Sequence, residues 1–133
     1  MNIRVLIADD QPRARRSLLA LLTAMRWTDG NTGGGPNALN GGQLDLIGEA
    51  ADGQQLIAQV EALRPDVVVM DLHLPNLDNV TAIRIIKQRW PSVRIVVLTM
   101  YTTARTAALA AGADAFLLKG CPTRELLDAV KPS

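Results

Sequence analysis

Five polar residues of this 133-residue chain stand at the ends of short apolar runs. Asp9 and Asp10 follow Ile3-Arg4-Val5-Leu6-Ile7-Ala8, and Asp71 follows Asp66-Val67-Val68-Val69-Met70. Thr99 closes the run from Val93 to Leu98, and Lys119 follows Ala113 to Leu118. If the first and third runs are neighbouring strands, their three carboxylates converge at one edge. There they repel one another unless a cation joins them. Hard oxygen ligands, with room for water and phosphate oxygens, suit Mg²⁺ or Mn²⁺. Lys119, one of three lysines, can offset the same negative charge, and Thr99 can donate a hydroxyl hydrogen bond. Plainer readings exist: helix capping for Asp9-Asp10, a snorkelling surface lysine, and strand-end capping for Thr99. For Lys119 and Thr99 taken singly the plainer reading is the better one. What favours chemistry is that every strand but the second delivers a polar group to the same edge. Asp52 and Asp78 are weaker candidates, because Asp52-Gly53 and Asn76-Leu77-Asp78-Asn79 read as turns or caps.

The elements that must position these residues alternate regularly. The run at Ile3–Ala8 is followed by Ala14, Leu18, Leu21, Leu22 and Met25 at helical spacing, with Pro12 suited to the helix's first turn. A second strand is expected at Leu44–Glu49, then a helix marked by Leu56, Ile57, Val60 and Leu63 and closed by Pro65. The strand at Asp66–Met70 precedes a helix from Val80 to Trp90, ended by Pro91. The strand at Val93–Leu98 precedes an alanine-rich helix, from about Thr103 to Ala111, that Gly112 can stop. A fifth strand, Ala113–Leu118, leads to a last helix opened by Pro122. Strands apolar on both faces, each followed by a helix, predict an α/β, doubly wound (βα)5 domain with a parallel sheet. Ligands of such sheets bind at the carboxyl edge, where the strand order reverses. Trp27 and Trp90 are expected to end helices at the far edge. Residues 30–42 hold six of the ten glycines, with Asn31, Asn37 and Asn40. They predict a loop insertion over about residues 28–43, and no P-loop lysine follows the glycines.

Composition narrows the function classes. The chain is 48% hydrophobic and 20% charged, with net charge +1, so it can bury a core and offers no global electrostatic case for nucleic acid. A single cysteine, Cys121, and a single histidine, His73, leave no disulfide framework and no Cys/His metal site. The four aromatics, Trp27, Trp90, Tyr101 and Phe116, are too few for a base-stacking platform. The apolar stretch near Met1 is short and meets Asp9-Asp10, unlike a signal peptide. No run approaches the roughly 18 apolar residues of a membrane span. The default location is cytoplasmic, with no membrane partner.

The chain resembles the receiver domain of two-component response regulators. Ile7-Ala8-Asp9-Asp10-Gln11, Asp66 through Pro75, Val97-Leu98-Thr99-Met100 and Ala113 through Lys119 carry the resemblance. Leu98-Thr99-Met100 with Phe116-Leu117-Leu118-Lys119-Gly120 looks most like the NarL/FixJ (LuxR-type) branch. The resemblance implies a flavodoxin-like sheet in order 2-1-3-4-5. It implies Asp71 as phosphoacceptor, and Mg²⁺ held by Asp10, Asp71 and the His73 backbone carbonyl, with Asp9 acting through water. Lys119 would pair with the phosphoryl group and Asp71, Thr99 would be the switch hydroxyl, and Phe116 the switch aromatic. His73 and Tyr101 would tune the lifetime of the phosphoryl group. The implied partners are a sensor histidine kinase, a second copy of the chain on phosphorylation, and DNA through a C-terminal effector domain outside residues 1–133. The chemistry is self-phosphorylation and dephosphorylation, not that of an enzyme. A stand-alone receiver, a phosphorelay intermediate and a phosphorylation-independent pseudo-receiver are alternatives, the last opposed by the complete set of Asp9, Asp10, Asp71, Thr99 and Lys119. An enzyme of small molecules or nucleotides on the same fold would need a glycine-rich phosphate loop after a strand. Two departures stand out. Asn79 replaces a usual glycine, and Asn tolerates positive φ. Pro122 follows Lys119 only after Gly120 and Cys121, which puts in question the cis peptide common after this lysine.

Overall fold

The computed structural model describes residues 2–24, 26–28 and 41–130. In chain order the elements are β1 (Asn2–Ala8), α1 (Pro12–Ala24), β2 (Arg26–Thr28), β3 (Gly41–Ala50), α2 (Gly53–Leu63), β4 (Val67–Met70), α3 (Asn79–Arg89), β5 (Arg94–Thr99), α4 (Arg105–Ala111), β6 (Ala115–Leu118) and α5 (Thr123–Val130). The sheet runs β2-β3-β1-β4-β5-β6. From β3 to β6 every neighbouring pair is parallel. These five strands, taken alone, stand in the expected 2-1-3-4-5 order.

Side-chain alternation divides the core into two layers. Leu6, Ala8, Val68, Met70, Ile95 and Val97 face one apolar cluster, with residues of α2, α3 and α4. Val5, Ile7, Val67, Val69, Val96 and Leu98 face the other, with residues of α1 and α5. The central strands are therefore buried on both faces, which is why they read as unbroken apolar runs. Each such Val, Leu or Ile contributes roughly 1.5–3 kcal/mol relative to an exposed one. Caps fix where the helices begin and end. Asp52 accepts from the Gln55 amide at 2.8 Å to open α2, and Asp78 accepts from the amide and hydroxyl of Thr81 to open α3. Gly112, at φ 120°, stops α4.

Three expectations are corrected. Trp27 does not end a helix: it lies in β2, which pairs antiparallel with β3 through Arg26↔Gln43, Trp27↔Gly42 and Thr28↔Gly41. The expected loop of residues 28–43 does not extend over Thr28 or Gly41–Gln43, which belong to this ladder. Ladder bonds use backbone groups alone, so the Gly-Gly pair of β3 can take β2 as the sheet's edge strand. Residues 29–40 lie outside the described residues. Positive φ falls at Asn76 (71°) and not at Asn79. Asn79 instead begins α3, and its side chain accepts from the Leu74 amide and donates to the Leu74 carbonyl, at 3.1 and 3.3 Å. No cis peptide bond occurs among the described residues, the Lys119–Gly120 bond included, and Gly120 takes φ 90°.

Candidate functional site

The candidate site sits at the carboxyl ends of β1, β4, β5 and β6. β1 is flanked by β3 on one side and β4 on the other, which makes this edge the topological switch point. The backbone delivers each polar residue by carrying the sheet ladder past the strand's end. The Asp9 amide donates to Ala50 O at 3.0 Å, the Asp71 amide to Ala8 O at 2.9 Å, and the Lys119 amide to Thr99 O at 2.8 Å. Beyond Asp71 the chain is pinned again: Leu72 and Leu74 are buried in the core, and the Gly53 amide donates to Pro75 O at 3.1 Å. A Cβ at Gly53 would stand 2.8 Å from that of Leu77, so the glycine permits this approach.

The side chains converge. Lys119 Nζ donates to Asp9 Oδ2 at 2.9 Å and to Asp71 Oδ2 at 2.8 Å. Asp9 and Asp71 are only 3% and 6% exposed. Carboxylate oxygens of Asp9, Asp10 and Asp71 lie within 4.8 Å of one another. Asp10 is exposed, at the mouth. Asp52 and Asp78 stay outside this group and act as helix caps. Burial works to lower the Lys119 pKa, but the hydrogen bonds to Asp71 and Asp9, with their charges, outweigh it and hold the ammonium above its ordinary 10.5. It is therefore protonated at neutral pH.

Among the described residues, two buried side-chain polar atoms lack a hydrogen-bond partner: Asp71 Oδ1 and Thr99 Oγ1. A buried polar atom without a hydrogen bond costs about 1–3 kcal/mol, so a fold rarely keeps one unless something else satisfies it. Three converging carboxylates, one with a bare buried oxygen, are a hard-oxygen donor set, and they fit Mg²⁺ or Mn²⁺. The Lys119 ammonium balances only part of their charge.

The remaining residues singled out by sequence surround this centre. His73, exposed two positions after Asp71, meets Tyr101, two positions after Thr99, edge to face, with ring centroids 5.6 Å apart. Tyr101 is 60% exposed. Phe116 is half-buried against the core layer of α2–α4. With Thr102, Arg105, Leu118 and Cys121 it borders a cleft of about 450 Å³ that reaches Lys119. Cys121 is half-buried, and burial first, then Glu125, pushes its thiol up. Sequence reasoning passed over Arg15, whose Nη1 donates to the Asp9 carbonyl at 2.7 Å.

The response regulator receiver domain profile matches residues 36–131. Asp9 and Asp10 precede that stretch, but comparisons with whole proteins include them. The chain is 33% identical, over 132 residues, to the uncharacterized transcriptional regulatory protein YxjL of Bacillus subtilis, covering 98% of this chain and 53% of that one. It spans about half the length of the curated relatives it matches. Among solved structures it resembles the isolated receiver domain of RcsB from Salmonella enterica serovar Typhimurium, determined with the phosphomimetic BeF3-. There the TM-score is 0.76 and the identity 28%, over 97% of this chain and 86% of that one. A two-component response regulator of the LuxR family from Aurantimonas sp. SI85-9A1 also has a TM-score of 0.76, with 26% identity over 98% of this chain and 83% of that one. Among the described residues no helix is long and apolar enough to cross a membrane. The chain belongs to the response regulator receiver domain family.

Proposed function

We propose that residues 1–133 form a receiver whose Asp71 accepts a phosphoryl group from a histidine kinase in a Mg²⁺-dependent reaction. The observation that carries this reading is the bare oxygen of Asp71, buried beside a shared ammonium and at hand to two further carboxylates. Asp10, Asp71 and the His73 carbonyl would hold Mg²⁺, with Asp9 acting through water. Bound there, the cation supplies positive charge that neutralises the incoming phosphoryl oxygens.

The chain's own residues do the rest. One Asp71 carboxylate oxygen attacks phosphorus while the P–N bond of the donor phosphohistidine breaks, and the leaving imidazole keeps the electron pair. Lys119 moves from pairing two carboxylates to pairing Asp71 with the arriving phosphoryl oxygens. The Thr99 hydroxyl, which has no partner before the reaction, donates to one of those oxygens and is drawn inward. Space then opens for Phe116 to turn from its half-buried position, and the surface around α4 and β6 changes. His73 and Tyr101, touching at the mouth, shield the acyl phosphate from in-line water.

The output is stronger self-association and, through an effector domain such as the transcriptional regulators it resembles would carry, altered DNA binding in the cytoplasm. The receiver itself turns over no separate substrate. A small phosphodonor, with and without Mg²⁺, tests the reading by intact mass. Wild type gains one phosphoryl group only with Mg²⁺, and Asp71→Asn gains none. Equal labelling of the two proteins, or labelling indifferent to Mg²⁺, defeats it. Following the label with time in His73→Ala and Tyr101→Ala reads the shielding: both lose phosphate faster than wild type.

A further inference from the structure

Asp10 is the one member of the acid trio that nothing visible aims. Asp71 is buried and held by Lys119, and Asp9 is held at both oxygens, by Lys119 on Oδ2 and by the Gln11 amide on Oδ1 at 3.0 Å. Asp10 is exposed and makes no side-chain hydrogen bond among the described residues. Its direction is therefore set by the backbone that carries it. The peptide plane between Asp9 and Asp10 is rigid, so fixing the Asp9 carbonyl fixes the plane from which Asp10 departs.

Arg15 fixes that carbonyl. Its Nη1 donates to Asp9 O at 2.7 Å, while its Nε meets Glu49 Oε1, near the end of β3, at 3.3 Å. The guanidinium fork thus ties three elements together: the β1–α1 turn, α1 and β3. Glu49 is itself placed by its strand, whose Ala50 carbonyl takes the Asp9 amide. The placement of Arg15 runs against its local setting. It lies near the start of α1, where the helix dipole disfavours cations, and it has Arg13 and Arg16 as neighbours and no acid in that first turn. Its two acceptors offset this.

We propose that Arg15 is a positioning residue that, tethered by Glu49, orients the Asp9–Asp10 peptide and so aims the Asp10 carboxylate into the divalent-cation site. The inference rests on the metal-site reading above. It makes a prediction whose sign opposes simple electrostatics. Removing a cation beside an acidic cluster should tighten divalent-cation binding, whereas removing the group that aims a ligand should weaken it.

Mn²⁺ titration followed by electron paramagnetic resonance separates the two, with metal-free thermal unfolding as the check on folding. Arg15→Met is expected to bind Mn²⁺ about tenfold more weakly than wild type, the loss typical of a lost outer-shell partner. Arg15→Lys keeps the charge but cannot serve both acceptors, so it is also weakened. Glu49→Gln keeps Arg15 and loosens its tether, giving a smaller loss; because it also removes a negative charge, which weakens cation binding by itself, the charge-conserving Arg15→Lys is the readout if Arg15→Met folds poorly. Unchanged or tighter binding by a folded Arg15→Met, or unchanged binding by a folded Arg15→Lys, overturns the inference while leaving the metal site intact. A wild type that takes up no Mn²⁺ defeats the metal-site reading and this inference with it.

Discussion

Each edge of the sheet holds a lysine bound to an aspartate, and the two pairs are built to different ends. At the amino edge, Lys87 Nζ donates to Pro91 O, Val93 O and Asp114 Oδ2, at 3.2, 3.0 and 3.1 Å. Its three protons are matched by three acceptors. Asp114 Oδ2 accepts from the Ile95 amide as well. Nearby, Arg4 donates to the carbonyls of Leu63 and Arg64, and the Arg64 guanidinium lies 5.2 Å from the centre of the Trp90 ring. At the carboxyl edge, Lys119 is divided between two buried carboxylates, and two buried polar atoms are left without partners. A completed network holds the fold together. An incomplete one has a place for something that arrives. The contrast distinguishes two lysine–aspartate pairs that the residue types alone cannot tell apart.

Removing each ammonium breaks the comparison most sharply. Lys119→Met leaves two buried carboxylates facing each other, and the expected loss in metal-free stability is on the order of 3 kcal/mol, as for a broken buried ion pair. Lys87→Met strands two carbonyls and one carboxylate nearer the surface, and should cost about 1–3 kcal/mol. Added Mg²⁺ distinguishes them. It should recover a larger share of stability in Lys119→Met than it adds to wild type, because an ion that binds only the folded state stabilises it. It should leave the Lys87→Met deficit unchanged. Thermal unfolding of wild type and both variants, with and without Mg²⁺, measures this. Equal Mg²⁺ responses in the two variants would show the carboxyl edge to be as complete as the other.

A smaller effect tests the idea of an incomplete network directly. Thr99→Val keeps the shape and removes a buried hydroxyl that has no partner, so its stability should match wild type or exceed it by up to about 1 kcal/mol. Its response to phosphorylation should be lost: Asp71 still takes up phosphate, but self-association no longer strengthens. Melting curves, with sedimentation before and after phosphorylation, check both halves. A clearly less stable Thr99→Val would mean that the hydroxyl already serves the resting fold.

The sequence makes the strands and the site's edge legible for a physical reason. β1, β4 and β5 are buried on both faces, so they appear as apolar runs, and a carboxylate directly after such a run must emerge at the strand's end. Asp52 and Asp78 are legible as caps because capping is local. What distance alone decides is not legible. Lys119 lies 48 residues from Asp71 and 110 from Asp9, and only the closed sheet shows that one ammonium reaches both. Arg15 reads as one of several solvated arginines, since a bond to a backbone carbonyl leaves no trace in composition. β2 is three residues long, and its partner strand opens with Gly-Gly, a pair depleted in strands. Asn79 stands where glycine is usual, whereas the turn places its positive φ three residues earlier, at Asn76.

The smallest effects are those of pH on the metal-free protein, and they divide the carboxyl edge by kind of anchor. Lys119 is held above its ordinary 10.5: burial opposes the charge, but the bonds to Asp71 and Asp9 prevail. A raised lysine contributes stability that is fully present below about pH 10.5 and is lost as pH climbs through its higher folded value. Asp52 and Asp78 are held below 3.8, Asp52 first by the Gln55 amide and then Asn76, and Asp78 first by the Thr81 hydroxyl and then its amide. A lowered carboxyl contributes stability present above pH 3.8 and lost as pH falls through its folded value. Denaturant unfolding across pH should therefore show two separable arms. Lys119→Met flattens the alkaline arm. Asp52→Asn and Asp78→Asn, which keep a capping oxygen but cannot ionise, shrink the acid arm and leave the alkaline one. If Lys119→Met retained the full alkaline arm, the shared ammonium would be no more tightly tied to Asp9 and Asp71 in the folded chain than in the unfolded one.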